Sequence, residues 1–336
     1  MNSGPKLSFS NQTFFYGITL LRHLTKNENL FDETYQKRIY PELMNQKIIN
    51  NIETIPVFEA SEINGDTFHK MINKNITPFV IKGFLKDSQA VQKWTVEYFH
   101  ENYGDDEIML RPLKEDMTFD VSHRPGKLKE VTSEILSGEE NRKYIMNASD
   151  ILGNNPDLEA MLPMARVKEI FKKSKIYVGS QLFLGGKGTG SGIHCASGYN
   201  IFMNVYGRKK WTVIHPKFTP WLYPKFRSDA FYALSDVLHQ LSFEEIEKKY
   251  PHYNRIPKMT YTLEPGDALI NPGWYWHAVD NLTPQTIGVA CRWFPPKPLV
   301  ELNRFYAMLQ AITPHMWKVW FHLLKGNRLK DHFNKF

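Results

Sequence analysis

The sequence predicts a mainly β domain, a sandwich or barrel, with helical additions at both ends. Three observations predict it. Short strand-like segments separated by turn residues crowd residues 176–296. Aromatic residues make up 14% of the 336-residue chain, enough to line the inner surfaces of a β-rich core, and 42% of the chain is hydrophobic, enough for one large domain. The flanking stretches change to helical periodicity.

Residues 1–54 are polar, with helical patches such as "TFFYGITLLRHL", and read as an N-terminal extension. "IPVFEAS" begins as a strand, and "GDTFHKMINKNITPFVIKG" reads as a helix leading into a strand. "SQAVQKWTVEYFHENYG" has the pattern of one amphipathic helix with Trp94, Tyr98 and Phe99 on its inner face, followed by a strand at "DEIMLRPL". Residues 130–175 read as mostly helical, broken at "LGNNPD". Strand segments then follow one another: "IYVGSQLFLGG", "SGIHCA", "YNIFMNVYG", "KKWTVIHP", "MTYTLE", "DALINP", "WHAVDN" and "TIGVACRWF", with a helical insert at "SFEEIEKKY". In the tail 297–336, Leu299, Leu302, Tyr306, Leu309 and Ile312 form one apolar stripe before Pro314, and Val319, Trp320, Leu323 and Leu324 a second. Helices over 299–312 and 315–325 are expected, covering either the barrel or the seam of a homodimer.

Net charge is +7, but the basic residues are scattered and form no arm or nucleic-acid motif, so a nucleic-acid partner is not expected. The two cysteines, Cys195 and Cys291, imply no disulfide framework and fit a reducing compartment. No apolar run is long enough for a transmembrane segment, and the N-terminus lacks the apolar core of a signal peptide. The chain reads as cytoplasmic.

The chemistry concentrates in "SGIHCASGYNIFMNVYGRKKWTVIHP" and "GWYWHAVDN". Side chains alternate along a strand, so His194 and Ala196 share a face and Cys195 takes the other. His277 comes from a strand far downstream. Either histidine alone would be read as structural. Two imidazoles converging in a barrel, with coordination positions left open, suit non-haem Fe(II).

Over residues 55–295 these motifs, with "AVQKWTVEYFHENYGD", "NRKYIMN" and "LEPGDALINPGWYWHAVDNL", resemble the JmjC-type, cupin-fold Fe(II)/2-oxoglutarate oxygenases. Among them the chain looks similar to the group containing the asparaginyl hydroxylase of hypoxia-inducible factor. The resemblance implies a double-stranded β-helix (jelly-roll) and divides the chain into an extension 1–54, a catalytic domain 55–296 with its barrel core at about 176–296, and a helical segment 297–336. It implies Fe(II), 2-oxoglutarate and O2 as cofactors, with His194 and His277 on the metal. Lys209 matches the lysine that pairs with the distal carboxylate of 2-oxoglutarate; Tyr144 and Ser191 match hydroxyls on that carboxylate, and Asn200 matches a polar position near the co-substrate. Lys210, one residue on, would face outward. The resemblance also suggests dimerisation through the C-terminal helices.

The chain departs from that pattern at Ala196, where the family has Asp or Glu. Asp267, in the "EPGD" turn, reads as a turn cap, Asp280 points off the metal face, and Cys195 faces away. Three readings follow. In the first, chloride occupies the position, as in the His-x-Ala and His-x-Gly Fe(II)/2-oxoglutarate halogenases that "HCA" resembles. Water there, in a hydroxylase, is the second, and a non-catalytic binding protein the third. The substrate is not written in the sequence; a small molecule, a peptide or protein side chain, and a carrier-tethered acyl group all remain open.

Overall fold

The computed structural model describes residues 7–45, 47–49, 52–74, 77–110, 124–138, 145–171, 177–226 and 232–293, together with a few residues between 308 and 325. Eight strands form its centre: β1 (Tyr177–Gly186), β2 (Gly190–Ala196), β3 (Tyr199–Tyr206), β4 (Lys209–Ile214), β5 (Met259–Leu263), β6 (Ala268–Asn271), β7 (Trp276–Asn281) and β8 (Gln285–Trp293). One sheet runs in the order β5-β4-β7-β2 and the other β6-β3-β8-β1, with antiparallel neighbours throughout. Consecutive strands pass from one sheet to the other, except β4 and β5, which pair with each other across the long insert that joins them. This is the expected double-stranded β-helix of the cupin fold. Each sheet widens to seven strands. Glu53–Thr54 flanks β5, and Tyr232–Ser235 with Pro224–Phe226 lies beyond β2; in the other sheet Phe79–Lys82 and Val57–Glu59 extend β6, and Ile145–Ala148 flanks β1. The β3–β4 turn needs glycine: Gly207 has φ of +69°, and a side chain there would meet the Gln285 carbonyl oxygen at 2.1 Å.

Alternation along these strands sorts the apolar residues into three clusters. Between the sheets lie Phe183, Phe202, Trp211, Val213, Leu269, Val279 and Ala290. Outside the β3 sheet, Tyr199, Ile201, Met203, Val289 and Trp293 pack with Phe68, Trp94, Phe99 and Leu128 from the helical segment before the barrel. Outside the β2 sheet, Ile193, Cys195, Trp274 and Trp276 meet Phe15, Ile18, Tyr35 and Ile39. Those last four come from α1 (Phe9–Thr25) and α2 (Asp32–Met44), so the N-terminal extension is an outer layer on the β2 sheet. Because both outer faces are covered, the outward residues of β3 are apolar, while Asn200 and Asn204 point between the sheets. The space between the sheets thus mixes apolar and polar side chains, while both outer faces are jacketed in apolar ones.

Some expectations change. The helix expected over "SQAVQKWTVEYFHENYG" is two helices, Gln89–Lys93 and Val96–Tyr103, because Thr95 leaves helical geometry and its hydroxyl caps the Tyr98 amide. Trp94 and Phe99 are buried as expected, and Tyr98 only partly. Strands at Arg124–Lys127, Ile145–Ala148, Pro224–Phe226 and Tyr232–Ser235 have no strand pattern of their own and form as edge pairings on strands already present. Most of the tail stripe, including Leu299, Leu302, Tyr306, Val319, Trp320, Leu323 and Leu324, lies outside the described residues. Of the rest, Leu309 is buried in the N-terminal helix cluster and the Thr313 hydroxyl lies 2.9 Å from His23 Nε2, whereas Ile312 is exposed. Among the described residues no helix is long and apolar enough to cross a membrane.

Candidate functional site

β2 and β7 are neighbours, and His277 is the direct cross-strand partner of His194. Their ring centroids lie 4.1 Å apart. Each ring is oriented by its own strand: His194 Nδ1 lies 2.8 Å from the Gly192 carbonyl oxygen, and His277 Nδ1 lies 3.0 Å from that of Tyr275. The Asn271 side-chain amide sits 3.1 Å from His277 Nδ1, and Trp211 stacks on the same ring at 5.3 Å. With Nδ1–H donating to a carbonyl, the lone pair of each ring falls on Nε2, the tautomer a metal requires. Burial holds both rings neutral at pH 7: it pushes His194 down to about 4 and lowers His277 as well, with the neighbouring His194 adding to the effect.

Ala196 is paired across the strands with Tyr232, whose ring centroid lies 5.2 Å from that of His194. The Trp274 amide donates to the Ala196 carbonyl at 2.7 Å, and Trp274 adopts φ of +67° to do so, pinning the turn before β7 to the end of β2. Cys195 is buried in the outer cluster on the opposite face. Asp267 caps its turn, accepting from the Gly83 and Glu264 amides, and Asp280 pairs with His239 at 3.0 Å. Among the described residues no group of three or more His, Cys, Asp or Glu side chains converges on one point.

Lys209 is fully buried, and its Nζ donates to Asn281 Oδ1 at 2.6 Å and Thr286 Oγ1 at 2.9 Å. Neither acceptor is charged, and burial brings the amine down to about 7. Lys210, opposite Asp280, is exposed. Lys209, Trp211 and Val213 face inward with His277, Val279 and Asn281, which puts the amine on the histidines' face of the sheet, one strand away. Ser191 is buried opposite Val279, on that face as well. Tyr144 lies outside the described residues. Asn200 pairs with Asn271 on one side and Arg292 on the other, forming a polar row across the facing sheet.

Arg292 was not singled out in the sequence, although a lone arginine in the apolar run "TIGVACRWF" is a legible signal. It is half-buried on β8, and its charge bears on both histidines and on the Tyr232 hydroxyl. Tyr232 gave no such signal. Two buried polar atoms around this interior, Asn200 Oδ1 and Trp211 Nε1, have no hydrogen-bond partner. Native interiors rarely leave such atoms unsatisfied, so this one is built for a polar occupant. With two neutral imidazoles of matching tautomer, the donor set fits a nitrogen-ligated transition metal and an anionic organic ligand.

Comparison with known proteins agrees with the fold. The profile of a family described as "Cupin-like domain" matches residues 65–307. HSPB1-associated protein 1 of Rattus norvegicus is 32% identical over 112 residues, which is 33% of this chain and 23% of the rat protein, so the chain spans about a quarter of that relative's length. The tRNA wybutosine-synthesizing protein 5 of Gallus gallus is 23% identical over 71% of this chain and 77% of its own length. Lysine-specific demethylase 8 of Xenopus tropicalis is 20% identical over 70% of this chain and 52% of its own.

Proposed function

This chain belongs to the cupin-like domain family, and on that premise we propose that it is an Fe(II)- and 2-oxoglutarate-dependent enzyme acting on an unactivated C–H bond. The observation that carries the reading is the cross-strand pairing of His194 and His277, both neutral and both held in one tautomer. Bound Fe(II), with 2-oxoglutarate and O2, supplies the oxidising power to remove a hydrogen atom from such a bond. His194 and His277 hold the metal. Lys209 takes the distal carboxylate of 2-oxoglutarate, with Ser191 on the same face of the sheet, and Asn200 lines the approach; the resemblance alone assigns Tyr144 to that carboxylate. Trp211 and the inner apolar cluster keep water out of this end of the barrel.

Ala196 sets the reaction type. Its methyl supplies no ligand, and chloride in that position would restore the charge of the missing carboxylate, so halogenation is the first reading. Hydroxylation, with water there, is the second, favoured by the demethylase among the relatives. The HSPB1-associated relatives raise a protein partner alongside a small-molecule, peptide or carrier-tethered substrate.

Anaerobic optical titration of Fe(II) and 2-oxoglutarate, with and without chloride, tests this. Two protein ligands and a bidentate co-substrate should give a charge-transfer band that chloride shifts. No band at any concentration would mean a non-catalytic barrel; a band indifferent to halide would favour hydroxylation.

The Lys209 amine adds a pH prediction. A dianion favours its charged form, so above about pH 7 binding must take up a proton. The association constant for 2-oxoglutarate should fall by up to about tenfold per pH unit between there and the pKa of the complex. Calorimetry in buffers of different ionisation enthalpy would record the uptake. Stability of the free protein has the opposite sign: the folded chain binds fewer protons than the unfolded one between about 7 and the ordinary lysine value of 10.5, so this group favours folding more as pH rises through that window.

A further inference from the structure

The basic residues are spread along the chain, but the acidic ones are not. Residues 297–336 hold seven Lys and Arg against two Asp and Glu, so most of the net charge of +7 lies in that stretch, and residues 302–330 contain no acid at all. Within it, "WKVWFHLLK" joins two tryptophans and four further apolar residues to two lysines. Trp317 and Phe321 are 58% and 60% exposed, four residues apart, and Lys325 follows at the same spacing, its amide bonded to the Phe321 carbonyl oxygen at 3.2 Å. The Trp317 indole N–H is satisfied within the chain by the Ala311 carbonyl oxygen at 2.6 Å, so what the exposed ring offers is hydrocarbon. Ile312 and Leu24 are exposed as well, on either side of the contact between Thr313 and His23 that joins this segment to α1.

We propose that this face, Trp317, Phe321 and Lys325 with Ile312 and Leu24 beside them, docks the protein on an anionic lipid bilayer. The apolar side chains enter the headgroup region, while the lysine stems are long enough to keep their ammonium groups among the phosphates. The negative surface potential of such a bilayer then draws in the rest of the basic stretch. Charge decides between this occupant and a second copy of the chain. A two-fold seam sets one patch against itself, so two segments of the same sign would meet across it, with no acid between residues 302 and 330 to balance them. An anionic bilayer supplies the missing sign. The contact is peripheral and, being partly ionic, weakens as salt is raised. It goes beyond the proposed chemistry and does not depend on it.

The test is co-sedimentation of the full-length chain with sucrose-loaded vesicles, either phosphatidylcholine alone or phosphatidylcholine and phosphatidylserine in a three-to-one mixture. The chain should bind the mixed vesicles, lose that binding as salt is raised, and bind phosphatidylcholine alone far more weakly. Replacing Lys318 and Lys325 together with Gln should weaken binding about twentyfold, at about fivefold for each cation near an anionic surface. Trp317→Ala with Phe321→Ala should weaken it about tenfold or more, at low and high salt alike. All four side chains are exposed, so the variants keep the fold, and Lys210→Gln, which removes an exposed lysine from the barrel, should bind as wild type does. No binding to the mixed vesicles, or binding that the two double substitutions leave unchanged, overturns the proposal. A dimer in sedimentation velocity without lipid, split by Trp317→Ala with Phe321→Ala, overturns it too and makes the face a seam between copies.

Discussion

Replacing Lys209 with alanine should weaken 2-oxoglutarate binding by about 3–5 kcal/mol, a hundredfold or more, the usual cost of stripping one partner from a buried charge pair. The amine has no rival on its strand, because Lys210 is exposed on the far face. In the free protein Lys209 holds Asn281 and Thr286, so the substitution also leaves two neutral oxygens without a donor. Lys209→Met, which keeps the stem and removes the charge, separates that packing effect from the electrostatic one. Calorimetry on wild type, Lys209→Ala, Lys209→Met and Lys210→Ala should give two weak binders and one unchanged. Unaltered affinity in Lys209→Ala would place the co-substrate elsewhere.

The second large effect is expected at Ala196. Ala196→Asp should supply the carboxylate ligand, tighten Fe(II) binding, make the Fe(II)–2-oxoglutarate band indifferent to chloride and abolish any chlorinated product. Sterics and charge act together: an aspartate reaches toward the histidine face where the methyl stops short, and its negative charge repels a halide from the same position. Remaining turnover should be hydroxylation or uncoupled loss of 2-oxoglutarate. If the variant instead gains hydroxylase activity over an inert wild type, the natural chain is a lapsed oxygenase. If wild type hydroxylates well without halide, the chloride reading fails.

Much of the barrel was legible because each of its strands carries its own signal. The apolar alternation in "YNIFMNVYG" and the turn in "LEPGD" are local properties, and strand parity alone separates His194 from Cys195 and Lys209 from Lys210. What was not legible depends on partners. Tyr232–Ser235 has little strand character and exists because β2 offers it an edge, so nothing in "FYALS" announced that Tyr232 would lie opposite Ala196. Arg292 needed the facing sheet before its charge could be related to the histidines. The N-terminal helices read as an appendage because their sequence is polar on average, yet Phe15, Ile18, Tyr35 and Ile39 fall on the sides that meet the β2 sheet. The break at Thr95 was missed because a cap competes with a periodicity that continues unbroken across it.

The pairing of His194 with His277 on adjacent, hydrogen-bonded strands has a mechanical consequence. The separation of the two rings is fixed by the sheet ladder, and each Nδ1 lies against the backbone carbonyl two residues before it. On the proposed reading such a pair is preorganised: a metal ion would find two nitrogens already in place and would not need to gather them from a disordered chain. Binding energy is then not folding energy, in contrast to small zinc domains that collapse only around their ion. A chelator should empty this protein without melting it, and the apo form should reload on contact with metal rather than refold. In a cell where iron supply fluctuates, such a chain would persist as an intact, waiting scaffold.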